Sequence, residues 1–276
     1  MNKKLIAAAV AAAVAGPTAM STASADVSVY GALYLNVTVQ DGDATLGDGG
    51  SRFGFKSSTD MGNGNTVSGV IEAGFDASDG LTKSAATQRK GNISYSGDWG
   101  SITIGSFGSV DGAAQKSCAA GGQSCAQVGY QARIADTIKF VGDVGGFSLQ
   151  GQTSFDGTDG VAEWALATTI DFGSLSIGAS YRDDDGTTYT HVGASTTLAG
   201  VYVGVEAGDS SDGTDSWGLG VKLPGGIKLG LDEGADGNQD VAASYSIDLG
   251  GSAVDLRVYD YEPADTIIKA QWSYSL

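Results

Sequence analysis

From Asp26 to Gln40 the apolar side chains fall on odd positions, Val27, Val29, Leu33, Leu35, Val37 and Val39. Ser28, Tyr30, Ala32, Tyr34, Asn36 and Thr38 stand between them. A period of two sends successive side chains to opposite faces of a strand, so this stretch reads as a strand with one apolar and one polar face. The last segment repeats the pattern: Ile268, Ala270, Trp272, Tyr274 and Leu276 alternate with Lys269, Gln271, Ser273 and Ser275. Similar short runs occupy 52–58, 66–75, 89–96 and 101–107, and counting on through the chain gives sixteen strands.

The connections alternate in kind. Tight turns fall at 60–65, 97–100, 143–146, 171–174, 198–200, 224–226 and 249–252. Longer or acidic links fall at 41–50, 76–88, 156–160, 183–186, 209–213, 232–236 and 260–265. An apolar strand face meets either a dry core or lipid, and periodicity alone does not separate the two. An even number of antiparallel strands, with short turns at one end and longer loops at the other, is the pattern of an outer-membrane barrel. A soluble Greek key has connections that cross over and vary in length. The predicted fold is therefore all-β, a sixteen-stranded antiparallel transmembrane β-barrel. Aromatic residues of the last strand, Trp272 and Tyr274, suit a girdle at the membrane interface.

One stretch breaks the rhythm. Residues 109–132 show neither strand nor helix periodicity and hold both cysteines, Cys118 and Cys125. A loop of this length in a compact domain is usually functional. It is expected to be a long third loop folded into the lumen, where it narrows the passage.

Residues 1–25 are set aside from the fold. Lys3 and Lys4, an apolar run from Leu5 to Val14, and Ala23-Ser24-Ala25 have the layout of a secretory signal peptide, cleaved after Ala25. The barrel domain is then 26–276. All 32 acidic residues but only 13 of the 15 basic ones follow the leader, a formal charge of −19. Such a balance argues against nucleic acid as a partner, because phosphate contacts need Lys and Arg. It favours cations.

An exported chain meets an oxidising compartment. Cys118 and Cys125 enclose a short Gly-bearing loop, and a disulfide between them would stiffen the insert. Two free thiols or half a metal site are the other readings. A structural zinc site usually needs four ligands, and His191 is the sole histidine, so no metal is expected there. Acidic links such as Asp183-Asp184-Asp185 offer oxygen ligands for Ca2+, with bridging to lipopolysaccharide phosphates as one use. The simpler reading is that Asp and Gly make soluble turns.

Several segments together resemble the Gram-negative general porins: Val29-Tyr30-Gly31, the run from Ser51 to Lys56, the run from Val70 to Phe75, the run from Gly97 to Gly105, and the run from Tyr130 to Ile134. Their order and spacing carry the likeness over essentially the whole chain after the leader. The resemblance implies a homotrimer in the outer membrane, embedded in lipid and lipopolysaccharide, that passes small hydrophilic solutes and ions. It also implies a basic wall cluster of Arg52, Arg89 and Arg133, with Glu72 beside it, facing acidic groups on the inserted loop. In this chain those loop groups reduce to Asp111, with Lys116 basic.

Parity agrees for most of the cluster. With Phe53 and Phe55 outward, Arg52 faces in; with Ile71 and Ala73 outward, Glu72 faces in; with Ile134 outward, Arg133 faces in. In the strand at 89–96, Ile93 and Tyr95 outward send Lys90 inward and Arg89 outward unless a bulge intervenes. Both are kept as candidates. From the acidic loops a weak cation preference is expected, weaker in high salt. Two alternatives stay open: a substrate-specific channel or adhesin on the same barrel, and a barrel hydrolase, for which His191 is the one candidate base. No enzymatic activity is expected.

Overall fold

The computed structural model describes residues 26–79, 87–118, 128, 130–155, 160–234, 237–261 and 266–275. Residues 1–25, expected to be a signal peptide, lie outside the described residues, as do Cys125 and Leu276. The strands are β1 (Asp26–Gln40), β2 (Asp43–Asp48), β3 (Arg52–Gly62), β4 (Asn65–Gly74), β5 (Thr87–Gly97) and β6 (Gly100–Phe107). After a 3-10 turn at Val110–Ala113 come β7 (Ile134–Val144), β8 (Phe147–Phe155), β9 (Val161–Phe172), β10 (Leu175–Asp184), β11 (Thr187–Leu198) and β12 (Val201–Ser210). The sheet ends with β13 (Asp215–Lys222), β14 (Ile227–Glu233), β15 (Gln239–Asp248), β16 (Ser252–Tyr261) and β17 (Ile267–Ser275).

Every neighbour pair is antiparallel, and β17 returns to β1 from Ala32↔Ser275 to Val39↔Ile268, so the sheet closes. The segments make sixteen wall strands because β2 and β3 are two halves of one. The upper half of β1 pairs with β2 and its lower half with β3. Between Leu35↔Asp48 and Ala32↔Arg52, two residues of β1 face three residues, Gly49, Gly50 and Ser51. This is a bulge, and Asp48 pins it by accepting from the Gly50 and Ser51 amides at 2.6 and 2.9 Å.

The link expected at 41–50 is thus mostly strand. Asp41 (φ 55°) and Gly42 (φ 86°) turn the chain in two residues, a twist that matches the flanking strands. Asp185 and Gly186 do the same between β10 and β11, at φ 50° and 89°. Asp-rich composition signals a turn, but not its length. In both places the turn itself needs only one of the acidic residues.

The outer face is apolar. Val29 is 69% exposed, Ile71 66%, Leu198 77% and Trp272 60%, while Glu72, Gln152, Glu206 and Gln271 are each under 9%. That inversion places hydrocarbon outside and polar groups inside, as a closed barrel in lipid requires. No helix among the described residues is long and apolar enough to cross a membrane; the strands do it. Aromatic clusters mark both rims. At the short-turn end Trp99 lies between Tyr95 (5.7 Å) and Phe140 (6.4 Å, stacked), and at the other end Trp164 packs on Tyr181 at 5.3 Å. The described apolar core is small. Val110 of the 3-10 turn sits on Ala165 and Ala167, the small inward residues of β9.

Candidate functional site: the barrel lumen

One side of the lumen carries a basic cluster built around a buried carboxylate. Glu72 on β4 accepts from Arg89 Nε at 2.9 Å and from the Tyr30 hydroxyl at 3.1 Å, with Arg52 Nε 3.7 Å away. Glu72 is 3% exposed, while the Arg52 and Arg89 side chains are 32% and 20% exposed. Arg52 is steadied by Tyr34, whose hydroxyl accepts from Nη2 at 3.2 Å and whose ring lies 5.1 Å below the guanidinium. The inward tyrosines therefore hold the charged groups in place.

The parity conflict on β5 resolves into a bulge. Glu72 pairs with Lys90, and Ala73 pairs with Gln88, so Arg89 has no partner in the register. The extra residue turns Arg89 inward beside Lys90, and one strand delivers two cations to the same side. Sequence alone shows only the conflict, because a bulge is a property of two strands in register. Arg133 completes the group, on the chain that enters β7. Desolvation first, then the like charge of Arg89, hold its pKa below the usual arginine value, with Glu72 pulling the other way. The guanidinium stays charged all the same. Arg52, Glu72, Arg89, Lys90 and Arg133 thus lie together on one side of the lumen.

Asp111 and Lys116 do not join them. Asp111 is 1% exposed and pairs with Arg182 of β10 at 3.4 Å; Arg182 is 1% exposed too and stacks over the Tyr189 ring at 4.4 Å. A free carboxylate facing the basic cluster was expected here. Instead Asp111 is consumed as an anchor, because Arg182 points inward from the wall directly behind it. Lys116 lies against the same wall. Its ammonium donates to Ser176 Oγ at 3.3 Å, and its carbonyl accepts from the Tyr202 hydroxyl at 2.6 Å.

The grip on the described part of the insert is extensive. The Val110 amide donates to Gln152 Oε1 at 2.9 Å, and Gln152 donates on to Glu163 at 2.9 Å. Glu206 of β12 accepts from the amides of Lys116 and Ser117, the latter at 2.8 Å. Side chains are omitted where the insert's backbone lies closest. A Cβ on Gly178 would overlap the Ala113 carbonyl oxygen, one on Gly193 that of Ala114, and one on Gly204 that of Lys116. Gly178 and Gly193 are register partners on β10 and β11, with Gly204 on the next strand. This bed of glycines and the residues Gln152, Arg182 and Glu206 anchor the loop, a role that the sequence analysis does not assign them. The signal available was glycine at inward parity on three consecutive strands.

Cys118 is not a free thiol; its expected partner, Cys125, is outside the described residues. His191 is 5% exposed on β11, where it makes a backbone hydrogen bond with Val128 of the insert. Ser180 stands opposite it in the register, yet the Ser180 hydroxyl and His191 Nε2 both lack a hydrogen-bond partner among the described residues. A nucleophile–base contact is not made. No three His, Cys, Asp or Glu side chains gather as metal ligands among the described residues. Asp183 instead caps its own turn by accepting from the Gly186 amide at 3.0 Å.

A closed antiparallel barrel, apolar outside and polar inside, with charged side chains directed at its axis, defines an outer-membrane β-barrel protein of the channel-forming class. The chain belongs to the Gram-negative porin family, whose model matches residues 7–275. Three solved structures share the fold. An anion-selective porin from Comamonas acidovorans is 16% identical with a TM-score of 0.70, over 92% of this chain and 100% of that one. In-vitro folded OmpT, an outer membrane protein of Vibrio cholerae in its trimer form, is 14% identical with a TM-score of 0.70, over 92% and 100%. Salmonella typhi OmpF is 15% identical with a TM-score of 0.70, over 91% and 97%. No curated protein sequence matches the chain.

Proposed function

We propose that the protein is a porin for passive diffusion of small hydrophilic solutes and ions, not an enzyme. The observation that carries this is the basic cluster of Arg52, Arg89, Lys90 and Arg133 around Glu72, open on the lumen side opposite the wall that holds the inserted loop. Residues 109–132 are the constriction loop, stiffened by a Cys118–Cys125 disulfide. The leader is cleaved after Ala25. The apolar band meets outer-membrane lipid and lipopolysaccharide.

The acidic loops favour a weak cation preference, whereas the cations around Glu72 support the opposite sign. Among the described residues of this cluster, the eyelet, four cations face one carboxylate, and that carboxylate is already bonded to one of them. Walls of low dielectric focus the field of such a group, whereas acidic groups at the mouth are screened within about 10 Å at 0.1 M salt. The channel is therefore weakly anion-preferring at physiological salt, with the acidic rim opposing it most at low salt.

The working unit is a homotrimer. Outward Val27, Phe55, Ile71, Ile93 and Ile104 border an apolar depression of about 580 Å³ across β1 and β3–β6, which suits a subunit contact. In a planar bilayer with a potassium chloride gradient, refolded protein is expected to give grouped conductance steps and a reversal potential of anion sign. A cation-sign potential would restore the net-charge reading, and a silent membrane would end the channel reading.

A further inference from the structure

Beside the described part of the insert, toward the short turns, lies a second basic site distinct from the eyelet. A cavity of about 510 Å³ opens there between Lys116 of the insert and Tyr202, Lys222 and Lys228 of the wall. We propose that this cavity is a subsite for small solutes bearing a phosphate or carboxylate group, held by the three lysine ammoniums. The inference rests on the channel reading above and adds a substrate class to it.

Three lysines reach the cavity from three different elements. Lys222 and Lys228 are direct register partners on β13 and β14, and Tyr202 of β12 is the register partner of Lys222. Both lysines point inward, since Leu229 beside Lys228 and Trp217 on β13 are exposed on the outer face. Lys116 is brought over them by the insert. Glu206 fixes its amide, the Tyr202 hydroxyl donates to its carbonyl, and Ser176 accepts from its ammonium. The Tyr202 proton is used in this way, so Tyr202 positions Lys116 rather than touching the solute.

The three charges stand uncompensated. Among the described residues no carboxylate comes within 4.0 Å of any of the three ammoniums. Like charges directly opposite across two strands repel, and an ordinary sheet avoids them. Here the repulsion is retained beside an open cavity of small-molecule size. An anion with several oxygens relieves it by accepting from all three groups, and ammoniums bind phosphate well as point charges. The eyelet differs on this point, because Glu72 already sits among its arginines. Two cationic stations in series also suit conduction, since weak binding at several sites lets an ion enter and still leave.

The test uses the full refolded protein in a planar bilayer carrying chloride current, with inorganic phosphate added on the short-turn side. Wild type is expected to show saturable block. The double variant Lys222→Gln with Lys228→Gln is expected to raise the half-blocking concentration about tenfold, equivalent to ~1.4 kcal/mol. Succinate in place of phosphate should show the same loss, since the shared feature is an oxyanion. Equal block in wild type and double variant overturns the site, as does block abolished by Arg89→Gln and untouched by the lysine changes. Current without any block defeats the subsite alone, whereas absence of current in every preparation defeats the channel reading as well. Calorimetric titration of the detergent-refolded protein with phosphate repeats the comparison without conduction; equal heats in both proteins also overturn it.

Discussion

Arg182 on β10 and Arg89 on β5 both point into the barrel, yet they do different work. Arg182 is 1% exposed, sealed between Asp111 of the insert and the ring of Tyr189. Arg89 is 20% exposed and shares Glu72 with Arg52 and the water of the lumen. The same alternation of inward polar residues serves both walls. On β8 to β12 those residues are used up in holding the insert. On β3 and β5, Arg52 and Arg89 stay partly open to the lumen. A polar residue at inward parity is therefore a candidate for permeation only where no loop covers it.

The largest effect expected from breaking this contrast is at the sealed pair. Arg182→Met leaves Asp111 as an unpaired buried charge, and loss of such a partner destabilises by about 3–5 kcal/mol. Thermal unfolding in detergent should show a lower melting temperature. Adding Asp111→Leu should recover most of the loss, because an apolar pair replaces a buried ionic one with little penalty. If the double variant melts no higher than Arg182→Met, the pair is not what seats the insert.

A middling effect is expected at the glycine bed. Gly204→Ala puts a methyl where the Lys116 carbonyl lies, and overpacking of this kind costs about 1–3 kcal/mol. The insert should lift, giving a larger unit conductance and faster protease cleavage within 109–132, with the barrel still folded. Unchanged conductance and cleavage would mean that the insert does not need the glycines.

The smallest change in stability, and the sharpest in selectivity, is expected at the open wall. Arg89→Gln leaves the buried Glu72 with Tyr30 and Arg52 still beside it, so it should lower the melting temperature less than Arg182→Met does. Its reversal potential should shift toward cations. A shift toward anions would place the dominant field elsewhere in the lumen.

Much of this architecture was legible from spacing. The parity of Phe53 and Phe55 sends Arg52 inward, and that of Ile71 and Ala73 sends Glu72 inward. The sixteen-strand count also survives, although one wall strand is made of two pieces. What stayed hidden depends on pairs of distant residues. Arg89 turns inward because β4 and β5 slip by one residue at Glu72. Asp111 is neutralised because Arg182, far along the chain, lies behind it. The stretch 41–50 read as a link because Asp and Gly crowd it, yet Leu46 pairs with Val37 in a hairpin and faces outward at 63% exposure. Composition reports the turn chemistry, and only the partner strand reports where pairing stops.

The seam between β1 and β17 has a consequence for assembly. The first strand made is the last to find its second neighbour, which arrives only with the final residues of the sheet. Until then the unfinished sheet carries two bare edges, each able to recruit a sibling chain. Inside a bilayer such edges would leave amides and carbonyls without partners. Ring closure and membrane entry are thus expected to be one event, and a chain waiting in the watery space beforehand needs a chaperone to cover those edges.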